Sequence, residues 1–137
     1  MTSAQKGEIA QLKVQLRAAQ KGFTVSRPTV DVCRYDLIVD TGAKLFRAQI
    51  KYAGSEGSTS TGSVVVGLRK WPGRKHSKSR TYAKSECDLL LVYIPQVDQI
   101  ACITSEAFDG KPTVRIRFSP AKNAQLKGIR LLHDVAW

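Results

Sequence analysis

Two runs of period-two alternation, joined by a short turn, constrain this chain more than any other feature. From 33 to 40, Tyr35, Leu37 and Val39 alternate with Arg34, Asp36, Ile38 and Asp40. From 44 to 52, Phe46, Ala48, Ile50 and Tyr52 alternate with Leu45, Arg47, Gln49 and Lys51. A repeat of two is the signature of extended strands, whose successive side chains leave on opposite faces. Thr41-Gly42-Ala43 between them has turn chemistry. The expected antiparallel hairpin holds Asp36, Gln49 and Lys51 on one side of a sheet. Alternation alone leaves the cross-strand register open.

The rest of the chain supplies partners for that hairpin. Residues 2–20 predict a helix, with Ile9, Leu12, Leu16 and Ala19 as its apolar stripe and Lys6, Gln11, Lys13 and Arg17 elsewhere on its surface. Thr2 or Ser3 can cap it, and Gly22 follows the last turn, where a left-handed residue is common. A short strand at 23–25 ends at Ser26-Arg27-Pro28. Gly, Ser and Thr dominate 53–62, a loop by composition, and the apolar run 63–68 is a strand or the lining of a cleft. Strands are expected at 88–94 (buried), 99–104 beyond Pro95-Gln96-Val97-Asp98, and 114–118, with a short helix at 121–127. The order predicts one α/β domain over 1–137, a mixed sheet flanked by helices.

Charge narrows the function. Twenty-two Lys and Arg against eleven Asp and Glu give a net +11, an excess that suits a polyanion. Nucleic acid is the first such partner, because neutralising phosphates releases counterions. The excess is concentrated: no acidic residue occurs between 57 and 85, while Arg69, Lys70, Arg74, Lys75, Lys78 and Arg80 crowd around Trp71-Pro72. Those six cations, in a basic loop around 69–84, are the DNA-contact candidates. His76 within it suits phosphate or solvent better than proton transfer. Cys33, Cys87 and Cys102 are too widely spaced for a zinc knuckle or a disulfide framework. Cys33 and Cys102 read as small buried hydrophobes. Without an apolar leader core or a run of membrane-spanning length, the expected location is the cytosol and no membrane is engaged.

Cutting a phosphodiester needs a deprotonated water, neutralisation of charge growing on phosphorus, and help for the leaving oxygen. A hard cation held by carboxylate and carbonyl oxygens serves all three. Asp36 is the natural first ligand, and Ile50, between Gln49 and Lys51, can offer its main-chain carbonyl. Lys51 then stands on Gln49's face, where an ammonium stabilises an attacking hydroxide or the crowded phosphate. Taken singly, Asp36 and Lys51 also suit a solvated strand. Asp40 fits a turn role, Asp88 a structural one, and His133 lacks partner ligands.

The hairpin Tyr35-Asp36-Leu37-Ile38-Val39-Asp40 with Gln49-Ile50-Lys51 resembles the metal-binding hairpin of PD-(D/E)XK nucleases. Gly7-Glu8-Ile9-Ala10 near the start of the helix, and the tail Arg117-Phe118-Ser119-Pro120-Ala121-Lys122-Asn123, narrow the likeness to the small group I intron-encoded homing endonucleases of that superfamily. The similarity spans roughly 7 to 130, with the hairpin its specific part. It implies a restriction-endonuclease-like fold and a magnesium-dependent, sequence-specific endonuclease acting on double-stranded DNA as a homo-oligomer, a tetramer rather than a dimer. Catalysis would fall to Glu8, Asp36, Gln49 and Lys51, and the metal to Asp36, Glu8, Gln49 and Ile50. Two positions depart from the pattern: Tyr35 stands where proline is usual, and Gln49 replaces the second acid. Glu8 would restore the lost charge from the helix. A Holliday junction resolvase and a DNA-binding protein with an inactive nuclease-like site are the alternatives.

Overall fold

The computed structural model describes residues 1–30, 32–54, 62–69, 80–119 and 130–137. The chain opens with α1 (Ser3–Gln20), whose first turn is closed by a capping box between Thr2 and Gln5. Gly22 follows at φ 77°, the left-handed end expected there. Then come β1 (Thr24–Ser26), β2 (Leu37–Asp40) and β3 (Leu45–Tyr52). Further on lie β4 (Ser63–Gly67), β5 (Leu89–Ile94), β6 (Gln99–Thr104), α2 (Ser105–Phe108), β7 (Thr113–Arg117), β8 (Arg130–Leu131) and α3 (Leu132–Val135).

The expected hairpin is present, and its register is fixed. β2 and β3 pair antiparallel, with Leu37 opposite Ala48 and Asp40 opposite Leu45. Asp40 serves the turn, accepting the Gly42 N–H at 2.8 Å on Oδ1, while Gly42 takes φ 86°. The main sheet runs β1-β2-β3-β5-β6, with β3 and β5 parallel and the other pairs antiparallel. β4, β7 and β8 form a second, three-stranded mixed sheet. Their pairing joins segments far apart in sequence, which local patterning does not encode.

Three layers result. α1 covers one face of the main sheet, burying Ala10, Val14 and Ala18 against Leu37, Val39, Ala48, Ile50, Leu91 and Tyr93. The second sheet covers the other face, where Val64, Val66, Val114 and Ile116 meet Leu90, Val92, Ile94, Ala101 and Ile103. β5 is buried along its whole length, as a central strand with both faces covered must be. The helix departs from its expected stripe: Ile9 packs, but Leu12 and Leu16 are 53% and 55% exposed. Small residues, not the leucines, face the sheet, which lets the helix axis approach it closely.

Arg47 and Asp88 fasten the start of β5 to β3. Arg47 Nε and Nη2 donate to the two Asp88 oxygens at 3.1 and 3.0 Å, and the Arg47 backbone N–H adds a bond of 2.8 Å. Asp88 is therefore structural, as expected. The C-terminal end is bound to the chain's own interior. Leu132 is buried among the residues between the sheets, Val135 packs against them, and Trp137 packs beside Phe23. All three residues thus make contacts within the chain. The helix expected at 121–127 lies outside the described residues.

Candidate active site

The site forms where β2 begins and β3 runs on past it. Asp36 sits one residue before β2, its N–H still bonded to the Ala48 carbonyl at 2.8 Å. Beyond that bond the strands part, and the Asp36 side chain takes the place of a strand. Its Oδ2 accepts the Ile50 N–H at 2.9 Å and Gln49 Nε2 at 2.7 Å. Three of the residues expected from sequence are thus in direct contact. The Ile50 carbonyl leaves β3 on the same side as its N–H, the side of Asp36, as strand geometry requires. Gln49 and Lys51 project from the opposite face to the buried Ala48 and Ile50, toward the layer between the sheets.

A hollow of about 240 Å³ opens on Asp36 from the other side. Gln11 of α1 lines it together with Arg27, Pro28, Thr29, Val30, Cys33, Tyr35 and Asp36. Periodicity places Gln11 only on the general surface of the helix, so its part in the hollow is not expected from sequence. The one available signal is its spacing from Glu8, three positions along one helix. Glu8 itself is exposed, one turn before Gln11 on the same flank of α1. The structure joins Asp36, Gln49 and Ile50 by hydrogen bonds and, among the described residues, shows no such bond from Glu8.

The segment after the basic run walls the site. Tyr82 is buried there, with Lys51 Nζ 5.2 Å and the Arg34 guanidinium carbon 4.6 Å from its ring centroid. Arg34 Nη2 donates to the Thr81 carbonyl at 2.9 Å, and its Nε lies 3.1 Å from Glu86 Oε2. Burial pushes the Tyr82 hydroxyl above its ordinary range, against the pull of Arg34. Cys87, buried nearby and bonded through Sγ to the Leu89 carbonyl at 3.0 Å, is pushed up to about 11 by burial. Cys102 is likewise raised to about 11 by burial, so both are packing thiols, not nucleophiles. Cys33, expected as a buried hydrophobe, lines the hollow half-buried.

Of the basic candidates, Arg69 and Arg80 are described and exposed, one at each side of the run. Arg80 approaches Glu86 at 3.9 Å. Lys70, Arg74, Lys75 and Lys78, like His76, lie outside the described residues. His133 is exposed and pairs with its neighbour Asp134 at 2.9 Å.

The donor set fits a hard divalent cation. The Asp36 carboxylate, the Ile50 carbonyl and the Gln49 amide are all oxygen ligands of the hard type. Among the described residues no cluster of three or more His, Cys, Asp and Glu exists. The amide presents its nitrogen to Asp36 and must turn end for end to present oxygen, a rotation open to any glutamine. Asp36 is the one carboxylate in that set, so a cation held there would take one formal negative charge from it.

A mixed sheet thus carries an acid at a strand mouth, with a Gln-x-Lys on the next strand. The chain belongs to the PD-(D/E)XK endonuclease family, whose model matches residues 1–136. Among solved structures it is similar to that of a bacterial homing endonuclease, I-Ssp6803I, at a TM-score of 0.75 and 25% identity, over 93% of this chain and 84% of the other. No curated protein matches the sequence significantly. Among the described residues no helix is long and apolar enough to cross a membrane.

Proposed function

We propose that this chain is a magnesium-dependent, sequence-specific endonuclease of double-stranded DNA, and that it acts as a group I intron homing endonuclease. The observation that carries the reading is the contact of Asp36 with both Gln49 and Ile50, with Lys51 two residues on from Gln49. Membership of an endonuclease family and similarity to a homing endonuclease structure supply the class. The net charge of +11 supplies affinity for the phosphate backbone.

In this reading Asp36, the Ile50 carbonyl, the Gln49 amide oxygen and Glu8 hold the cation. When bound, magnesium would lower the pKa of a coordinated water and screen the phosphate oxygens. Before the cation binds, Gln49 keeps the Asp36 carboxylate aimed, through the hydrogen bond between them. Lys51 brings a positive charge to the phosphate as negative charge builds in the transition state. Arg69, Lys70, Arg74, Lys75, Lys78 and Arg80 bind the duplex, mostly through phosphates, with one or two arginines reading guanine edges.

A double-strand break needs two cuts, and one chain holds one such site. We therefore infer a homo-oligomer with paired sites related by two-fold symmetry, a tetramer in preference to a dimer. The test is cleavage of linear duplex and of four-way DNA, with and without magnesium. Magnesium-dependent cutting of a linear duplex at a defined sequence supports the reading. Preference for the four-way substrate makes the protein a junction resolvase, and binding without nicking makes it an inactive binder.

A further inference from the structure

Lysine carries its charge on a flexible four-carbon stem, so a catalytic lysine needs something to hold it still. In this fold one contact that can do so comes from outside the hairpin. The Tyr82 side chain is 3% exposed and packs within the core between the two sheets. Its ring therefore has a fixed place, and Lys51 Nζ lies 5.2 Å from its centroid, within the range of cation–π attraction. The same ring receives the Arg34 guanidinium at 4.6 Å. Two cations at one ring would repel each other, but Arg34 is matched by Glu86 at 3.1 Å and tied to the Thr81 carbonyl at 2.9 Å. Arg34 and Glu86 thereby hold the segment that carries Tyr82 against the hairpin.

We propose that Tyr82 is a positioning residue for Lys51, its buried ring fixing the ammonium on the Gln49 face of β3 where the phosphate is cut. The inference rests on the reading of Lys51 as catalytic. It assigns the segment just after the basic run a part in catalysis as well as in the fold. Arg80, at the end of that run, reaches the same Glu86 at 3.9 Å, which links this one DNA-contact candidate to the segment that carries Tyr82.

The test compares single-turnover cleavage and metal-free DNA binding for Tyr82→Phe, Tyr82→Leu and Lys51→Ala. Phe keeps the ring and should cut at close to the wild-type rate. Leu removes the ring and should slow cleavage roughly tenfold, the scale of one desolvated cation–π contact, with DNA affinity unchanged. Wild-type cutting by Tyr82→Leu, or a Phe variant as slow as the Leu variant, overturns the proposal. Lys51→Ala separates the two levels: if it still cuts, the catalytic reading of Lys51 fails, whatever Tyr82 does. Should Tyr82→Leu fail to fold, the wild-type protein provides the check. The ring current of Tyr82 should move the Lys51 ε-methylene protons upfield in the NMR spectrum, with Lys51→Arg giving the assignment. Lys51 resonances at their ordinary lysine position would also overturn it.

Discussion

Gln49 donates its amide nitrogen to Asp36 at 2.7 Å, so a neutral side chain stands where this family's pattern places a second acid. The amide is the one group at that position that can bond the carboxylate without a cation and ligate through oxygen with one. Replacing it should therefore act oppositely in the two states. Gln49→Glu puts two carboxylates in contact when no metal is bound, and like charges so close cannot both ionise. We expect the metal-free variant to melt about 3–6 °C lower, because a hydrogen bond to a charged group is removed. Its half-saturating magnesium concentration should fall. A magnesium titration followed by thermal melting and by cleavage checks both signs.

Glu8 is exposed on the flank of α1 that carries Gln11, and Gln11 shares a hollow with Asp36. If Glu8 supplies the missing charge, Glu8→Gln should raise the magnesium requirement and lower single-turnover cleavage by at least about tenfold. Gln11→Ala, which removes no charge, should cost less. Equal cleavage by wild type and Glu8→Gln at limiting magnesium would show that the helix contributes no ligand.

The Arg47–Asp88 clasp sets a pH dependence of stability. The hydrogen bonds from Arg47 hold the Asp88 carboxyl below its ordinary value of 3.8. A depressed acid contributes stability that is present above its unfolded pKa and lost as pH falls through the folded value. The pair is about one-third exposed, so the contribution is about 1 kcal/mol rather than that of a buried pair. Asp88→Asn should melt below wild type at pH 7, and the gap should close as pH drops below 3.8. Melts at pH 7, 5 and 3 measure it.

Phosphate neutralisation announces itself in salt dependence. Arg74→Ala with Lys75→Ala should weaken DNA binding and reduce the slope of log K against log salt by about 0.9 for each phosphate left without its cation. Equilibrium binding between low and moderate salt checks this. Unchanged affinity and slope would remove both residues from the interface. A fall in discrimination between sequences would show that one of them reads a base.

What is legible in the sequence is local. The β2–β3 hairpin follows from strict alternation and the turn at Gly42, and alternation puts Asp36 and Gln49 on one face, while the register that brings them into contact comes from the fold. Helix α1 is equally plain, but not its buried face. Ile9, Leu12, Leu16 and Ala19 form one stripe at helical spacing and Ala10, Val14 and Ala18 another. Hydrophobicity favours the first, while the sheet accepts the second because small residues permit close approach. The second sheet depends on β4 finding β7, and β7 finding β8, a partnership of distant segments. Tyr82 escapes sequence reasoning on the same ground. It lies far along the chain from Lys51, and only folding brings the ring to the ammonium.

The central claim is that Asp36 anchors a metal-dependent active site, and the isosteric change Asp36→Asn tests it most directly. Asparagine preserves the size of the side chain but removes its negative charge. The measurement is single-turnover cleavage of a linear duplex across a magnesium titration, beside DNA binding without metal. The account predicts that cleavage falls by several orders of magnitude, roughly 10³-fold or more, because no charged hairpin ligand remains. DNA binding should persist or tighten, since one negative charge facing phosphate has gone. Cleavage by Asp36→Asn at the wild-type rate and magnesium dependence would contradict the account and move the active site elsewhere.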